Sequence, residues 1–171
     1  MMTTALTSRS KTWQRIRLAD LAETGSGATP SRSRADYYGG SIPWAKTGEL
    51  LDAEIFDTEE HITDAAVRDT SLRILPKDTL LIAMYGQGQT RGRTALLKCE
   101  ATTNQACFAI LPNPRFIPEF LQFWFRFSYS RLRQQTDGRG GSQPNLNGEV
   151  LRTEWIDRKS TRLNSSHESP S

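Results

Sequence analysis

Three glycines in one short loop stand beside amide and guanidinium side chains of the kind that contact nucleotides. The segment 86–94 reads GQGQTRGRT. A phosphate-binding P-loop needs four residues between its glycines and then a lysine, whereas three residues separate Gly88 from Gly92 and Arg93 follows. The dinucleotide fingerprint, Gly-x-Gly-x-x-Gly, fails on the same spacing. A nucleotide-binding enzyme that uses this loop stays open as an alternative, although neither spacing supports it.

The same loop carries side chains that can read DNA bases. Glutamine can bind adenine and arginine can bind guanine, each through two hydrogen bonds. Glycine adds a backbone that a partner can approach closely. A second Gly-rich polar segment, 136–148, reads TDGRGGSQPNLNG. Two such loops on a rigid scaffold are typical of loops that read a DNA groove, and solvated hairpin loops are the plain alternative.

Residues suited to self-contained catalysis are sparse. His61 and His167 stand alone, and Cys99 and Cys107 lie eight apart with no second pair, which is not a zinc-ligand pattern. Both cysteines are expected to be small core residues, and no serine nucleophile elbow occurs. The many carboxylates of 49–69 are interpreted as a solvated face. The sequence therefore predicts neither a catalytic centre nor a metal site.

Composition and charge describe an ordinary globular chain with a local cationic character. The 171 residues are 36% hydrophobic and 24% charged, with a formal net charge of +3. Residues 1–48 carry seven basic and three acidic side chains, and residues 49–69 carry one basic and eight acidic side chains. Residues 70–156 carry eleven basic and six acidic side chains. A cationic face for a polyanion fits this distribution, and so does a solvated surface with both signs interspersed. Without a run of about 18 apolar residues or an apolar leader, a reducing cytoplasm is the expected location.

Hydrophobic patterning predicts short buried strands. The continuous apolar run 79–85 has the length of a strand, and 94–98 and 105–111 are expected to form two more. Another short strand is expected in 149–156. The fold class that follows is mixed α/β (α+β), with a curved, largely antiparallel sheet of short strands.

One long helix is expected to pack against that sheet. It begins at Pro118, a residue favoured at the first helical position, and extends over about 118–135. Its large apolar residues recur at helical spacing, so their face is predicted to contact the core. These residues are Phe120, Phe123, Trp124, Phe127 and Leu132.

Composition also divides the chain into three parts. Residues 1–12 are rich in serine and threonine and are expected to be disordered. Residues 13–156 are expected to form one domain. Residues 157–171 hold a single large apolar residue, Leu163, and are interpreted as a disordered or artefactual tail.

Short motifs follow one another in a fixed order along the predicted domain. They are IRL, LAE and GATPS within 16–31, YYGGSIPW and TGEL within 37–50, LLIAMY at 80–85 with the pair Gly92-Arg93, TNQA at 103–106, and the aromatic helix with the Gly-rich 138–148. In this order and spacing they resemble the target-recognition domain of the specificity subunit of type I restriction-modification enzymes. The resemblance covers residues from about 13 to 156.

The resemblance implies a non-catalytic subunit that reads double-stranded DNA for two partner subunits. One partner is a modification subunit that methylates adenine, and the other is a restriction subunit that cleaves DNA. No cofactor is expected on this chain, because S-adenosylmethionine and ATP would bind those partners. A complete specificity subunit is similar to two such domains spaced by long helices, each reading half of a split target.

This chain departs from that pattern after Ile156, where a spacer helix is expected. Self-association of half-subunits therefore stays open, and so does a truncated docking module that does not bind DNA. Co-purification with a modification subunit without DNA binding would favour the docking module.

The resemblance and the residue chemistry together predict the DNA contacts. Lysine and arginine at phosphates would supply salt-sensitive affinity. Amide and guanidinium groups at base edges would each supply about 1–3 kcal/mol of discrimination, and the two loops are expected to lie side by side. The predicted contacts are Lys46, Gln87, Gln89, Thr90, Arg91, Arg93, Arg139, Ser142, Gln143 and Asn145.

Overall fold

The computed structural model describes residues 13–86, 88–137 and 146–159, which form short strands and short helices. The strands are β1 (Trp13–Arg17), β2 (Thr24–Ser26), β3 (Tyr38–Ala45), β4 (Ala53–Ile55), β5 (His61–Ile62), β6 (Leu80–Ala83), β7 (Thr94–Leu97), β8 (Thr102–Thr103), β9 (Cys107–Ile110) and β10 (Trp155–Lys159). The α-helices are α1 (Leu18–Leu21), α2 (Asp64–Asp69), α3 (Pro118–Phe127), α4 (Tyr129–Asp137) and α5 (Gly148–Thr153).

The strands form one central sheet and two smaller sheets. The central sheet has the order β2-β9-β6-β7-β4, and all its pairs are antiparallel except β4 with β7. A second sheet has the order β5-β3-β8, and β1 pairs with β10 in a two-stranded antiparallel ribbon. The prediction of a mixed fold with largely antiparallel short strands is confirmed.

Both faces of the central sheet are buried, which explains the continuous apolar runs in its strands. Leu80 and Ile82 of β6 point to the face covered by α1, α3, α4 and α5. Leu81 and Ala83 point to the opposite face, where Leu50 and other residues of the 45–55 region cover them. A third apolar cluster lies around Trp44 in the second sheet.

The predicted long helix is divided, and its predicted core face was wrong. It bends at Ser128, whose backbone ψ of −1° separates α3 from α4. Phe123 and Phe127 are 64% and 84% exposed, and Phe120 is also exposed. The core side is a second stripe at the spacing i, i+4, i+7 and i+11, made of Leu121, Phe125, Ser128 and Leu132, all buried.

Two apolar stripes therefore run along one helix, and the aromatic stripe faces solvent. Trp124 lies between the two stripes and is half-buried against the first apolar cluster. Of the five residues predicted for the core face, only Leu132 is fully buried. The size of a side chain did not decide which stripe packs.

The segment 149–156 also differs from the prediction of a strand. It begins as α5, because the side-chain Oδ1 of Asn147 accepts a hydrogen bond from the backbone N–H of Val150 and caps the helix. Leu151 of α5 is buried in the core. Strand β10 follows and pairs with β1 as far as Lys159, three residues past the predicted domain end. The rest of the predicted tail and residues 1–12 lie outside the described residues.

Within the described ranges, no helix has both the length and the apolar character needed to span a membrane.

Candidate nucleic-acid interface

The Gly-rich segment forms the tip of an antiparallel hairpin between β6 and β7. The hairpin closes where the N–H of Gly92 donates to the carbonyl of Ala83 at 2.8 Å, and the N–H of Ala83 donates to the carbonyl of Arg93 at 2.9 Å. The strand after the loop is β7, so the loop lacks the helix N-terminus on which both phosphate-binding motifs depend. The geometry therefore disfavours a mononucleotide site there.

Helix α4 holds this loop by its backbone. The phenol of Tyr129 donates to the carbonyl of Gln89 at 2.7 Å. The guanidinium of Arg133 donates to the carbonyls of Gly88 at 2.9 Å and Arg91 at 3.0 Å. Arg133 also lies over the Tyr129 ring, 5.3 Å from its centroid.

The backbone requires glycine at all three glycine positions of the loop. Gly86 has φ +144°, and a Cβ there would lie 2.7 Å from the Cβ of Thr90. Gly88 has φ +59° and Gly92 has φ +88°, values that disfavour larger residues. A Cβ at Gly92 would also lie 3.2 Å from a ring carbon of Tyr129. The backbone conformation and the close approach of α4 thus explain why glycines recur in this segment.

A shallow cavity beside the loop brings two predicted contacts together. Its volume is about 270 Å³, and its walls include Gln89 and Arg93 together with Arg126 of α3. The guanidinium of Arg93 donates to the side-chain oxygen of Gln89 at 3.2 Å and lies 4.0 Å from a carboxylate oxygen of Asp52. This cavity places one amide and two guanidinium groups on one surface.

Two other predicted residues of the loop are less accessible. The Thr90 side chain is half-buried, and Arg91 is 6% exposed. Arg91 therefore packs within the loop rather than standing out from it. A direct contact of either residue with DNA stays a prediction.

Lys46 lies after β3 and is surrounded by carboxylates. Its ammonium is 2.9 Å from Glu60 and 3.5 Å from Glu59, and the hydrogen bond to Glu60 raises the pKa of Lys46. Hydrogen bonds from Arg32, which has the larger effect, and from Lys46 lower the pKa of Glu60 to about 2. Lys46 thus belongs to an ion-pair network and not to the residues that line the cavity at Gln89.

Five predicted contacts lie outside the described residues: Gln87, Arg139, Ser142, Gln143 and Asn145. Two described residues, one before and one after 138–145, lie beside the hairpin that carries the first loop. Arg133 precedes that segment and binds the loop, and Asn147 follows it and lines a cavity together with Tyr85. Because 138–145 lies outside the described residues, the proximity of the two loops stays a prediction.

This second cavity contains functional candidates that sequence reasoning missed. Its volume is about 500 Å³, and it lies between β2, β9 and α5. The polar side chains on its walls are those of Ser26, Tyr85, Gln105, Asn147, Glu149 and Arg152. Interpreting 149–156 as a strand hid the pair Glu149 and Arg152, because residues three apart share a face only on a helix.

Other polar groups of the structure serve the fold. Gln105 accepts a hydrogen bond from the hydroxyl of Thr29 at 2.5 Å, which ties the turn before β9 to the loop that follows β2. Burial raises the pKa of the Cys107 thiol to about 12, so this thiol is protonated and unreactive. Across 13–86, 88–137 and 146–159, no group of three or more His, Cys, Asp or Glu side chains is arranged to hold a metal ion.

Comparison with known proteins gives consistent matches over most of the chain. A family model described as "Type I restriction modification DNA specificity domain" matches residues 10–156. The Type I restriction enzyme MjaIX specificity subunit of Methanocaldococcus jannaschii is 34% identical over 146 residues, which are 83% of this chain and 33% of that protein. The EcoR124I/EcoR124II specificity subunit of Escherichia coli is 24% identical over 136 residues, which are 78% of this chain and 34% of that protein.

Solved structures show the same fold. The S subunit of a type I restriction-modification system from M. genitalium superposes with a TM-score of 0.62 at 13% identity, covering 86% of this chain and 34% of that one. This chain therefore spans about a third of the length of the relatives that it matches.

Proposed function

The chain belongs to the type I restriction modification DNA specificity domain family, and from that premise we propose that it binds double-stranded DNA and reads part of its base sequence. The observation that carries this proposal is the anchored hairpin tip. Its backbone is fixed by Tyr129 and Arg133, while Gln89 and Arg93 line a cavity at the surface. Fixed loops that present amide and guanidinium groups suit direct readout of base edges.

The proposal divides the labour between subunits. This chain supplies recognition and no bond chemistry. Methyl transfer and cleavage belong to a modification subunit and a restriction subunit, which would also bind S-adenosylmethionine and ATP. The chain matches about a third of the length of its relatives. Because the resemblance implies two such domains in a complete specificity subunit, half of a split target is the expected footprint. The proposed place of action is inside the cell, where the DNA is.

Duplex binding by the 171-residue chain tests this proposal. A randomised duplex library is selected against the chain, and the affinity for the enriched sequence is measured by fluorescence anisotropy at several salt concentrations. We expect an enriched motif and an affinity that falls steeply with salt, because cations that neutralise phosphates release counterions. Absence of both an enriched motif and salt-dependent binding would contradict the proposal.

Variants connect the binding to the hairpin tip. Arg93→Gln is expected to weaken binding about tenfold or more. The loss is confined to one base position if Arg93 contacts a base, and it comes with a salt slope smaller by about 1 if Arg93 contacts a phosphate. Arg68→Gln is the matched control, because Arg68 is an exposed arginine of α2 paired with Asp69. Equal effects of the two substitutions would mean that the tip has no special role.

A further inference from the structure

We propose that the cavity beside α5 is a second base-reading site, in which Arg152 binds the edge of a guanine and Glu149 binds the amino group of a cytosine. The inference rests on the proposed function, DNA recognition, and adds residues and a base preference to it. Both side chains line the 500 Å³ cavity. Arginine to guanine and glutamate to cytosine are the pairings that base-edge geometry favours.

Arg152 is held in place with its hydrogen-bonding fork available. Its Nε donates to the hydroxyl of Thr24 at 2.9 Å, and its guanidinium lies 5.5 Å from the centroid of the Phe108 ring. Among the described residues, its two terminal nitrogens have no hydrogen-bond or ion-pair partner. A guanidinium that is already oriented loses little side-chain entropy when it binds two acceptors.

Glu149 is a second unoccupied group in the same cavity. It is exposed, and no ion pair within 4.0 Å joins it to any residue in the described parts of the chain. It stands three residues before Arg152 on α5, a spacing at which opposite charges commonly pair. The guanidinium of Arg152 instead contacts Thr24 and Phe108. One strong donor and one strong acceptor therefore remain for a partner.

The carboxylate of Glu149 decides between two sources of acceptors for Arg152. A DNA phosphate would bring a negative charge into a cavity that already contains one, which weakens binding. A guanine edge presents the neutral acceptors O6 and N7, and a cytosine edge presents an amino donor that a carboxylate accepts. The mixed charge of the cavity thus favours bases over the backbone.

The walls of the cavity fit this use. Gln105 and Asn147 use their side-chain oxygens within the protein, toward Thr29 and the backbone of Val150. Their amide NH₂ groups remain as further donors. Gly25 has no atom within 4 Å of the position a Cβ would take, so this side of the cavity is open. Tyr85, on the same wall, directly precedes the Gly-rich loop, which makes the two candidate sites neighbours.

Library selection on four versions of the whole chain tests the inference. They are the wild type, Arg152→Gln, Glu149→Gln and the charge-conserving Arg152→Lys, each checked for folding by thermal unfolding. We expect a motif in the wild type with a guanine whose preference falls at least about tenfold in Arg152→Gln and by less in Arg152→Lys, because a lysine ammonium can also bond guanine O6 and N7. We expect Glu149→Gln to lose preference at a cytosine instead. The salt slope should stay unchanged in Glu149→Gln and Arg152→Lys.

Each other outcome overturns the inference. A salt slope smaller by about 1 with an unchanged motif in Arg152→Gln would identify a phosphate contact. An unchanged motif and slope in all variants would mean that the cavity does not meet DNA. Glu100→Gln, an exposed glutamate outside the cavity, is the control for loss of a carboxylate. A wild-type chain that enriches no motif would instead refute the proposed function itself, before any variant is compared.

Discussion

Substitution of Arg133, which anchors the Gly-rich loop, should distinguish the effect of loop order on DNA binding from the effect of surface charge. In Arg133→Ala, the carbonyls of Gly88 and Arg91 lose their donors, at 2.9 and 3.0 Å. Hydrogen bonds from a charged donor contribute about 1.5–3 kcal/mol each when well shielded and less at a half-exposed site. We therefore expect the free energy of unfolding to fall by about 2 kcal/mol.

The loss in DNA binding should be of similar size, because a loop that has lost its anchors must be ordered again on the DNA. Fixing the backbone of one residue costs about 1–2 kcal/mol. If the freed region equals one or two residues, the Kd for duplex should rise roughly thirtyfold, the equivalent of about 2 kcal/mol. Isothermal titration calorimetry with the selected duplex at two salt concentrations measures this change.

Two companion variants identify the cause. Tyr129→Phe removes the hydrogen bond that the phenol donates to the carbonyl of Gln89 and the one that it accepts from Arg133. Arg133 still binds the carbonyls of Gly88 and Arg91, so binding should weaken less, by about 0.5–1.5 kcal/mol. Arg133→Lys keeps the charge but cannot span two carbonyls, so it should recover only part of the affinity. Full recovery in Arg133→Lys would assign the effect to charge alone, and an unchanged Kd in a folded Arg133→Ala would show that the anchor does not contribute to binding. Either result would refute the reasoning.

Three further predictions concern stability. Phe125→Ala, at a fully buried position, should lower the free energy of unfolding by about 3–5 kcal/mol in urea titrations. Phe127→Ser, at a position 84% exposed, should change that free energy by no more than about 0.5 kcal/mol. Equal losses in the two variants would mean that the aromatic stripe is packed. Gly27→Ala should prevent stable folding, since its Cβ would lie 1.6 Å from a carbonyl oxygen, while Gly48→Ala, with open space, should retain the wild-type Tm. The pKa of Glu60 is lowered to about 2, so the contribution of its carboxylate to stability is complete above pH 4.5 and is lost as pH falls toward 2. Glu60→Gln should therefore make the midpoint of urea unfolding less dependent on pH in this range. An unaltered pH profile would contradict this role of the Glu60 ion pairs.

The central strands were predictable because burial on both faces leaves a continuous apolar run in the sequence. The predicted 79–85, 94–98 and 105–111 enclose β6, β7 and β9. The hairpin around the Gly-rich loop followed from the same pattern. Its attachment to α4 did not, because Tyr129 and Arg133 act on backbone carbonyls, and such contacts leave no signal in the sequence of the loop.

The helical elements were harder to predict for two physical reasons. Helix 118–135 carries two apolar stripes, and periodicity alone cannot decide whether Phe127 or Phe125 faces the core. Segment 149–156 changes from α5 to β10 within a few residues, and its start depends on one side-chain cap at Asn147. That cap determines which side chains share a face, so missing it meant missing Arg152 as a candidate contact.

The anchoring of the hairpin tip by Tyr129 and Arg133 also bears on how new specificities arise. Both side chains donate hydrogen bonds to main-chain carbonyl oxygens, and every amino acid has such an oxygen. Replacements at positions such as Gln89 would alter what the tip offers to a base without loosening its attachment. A specificity domain can therefore change its base-contacting side chains one at a time while the backbone of the loop stays anchored.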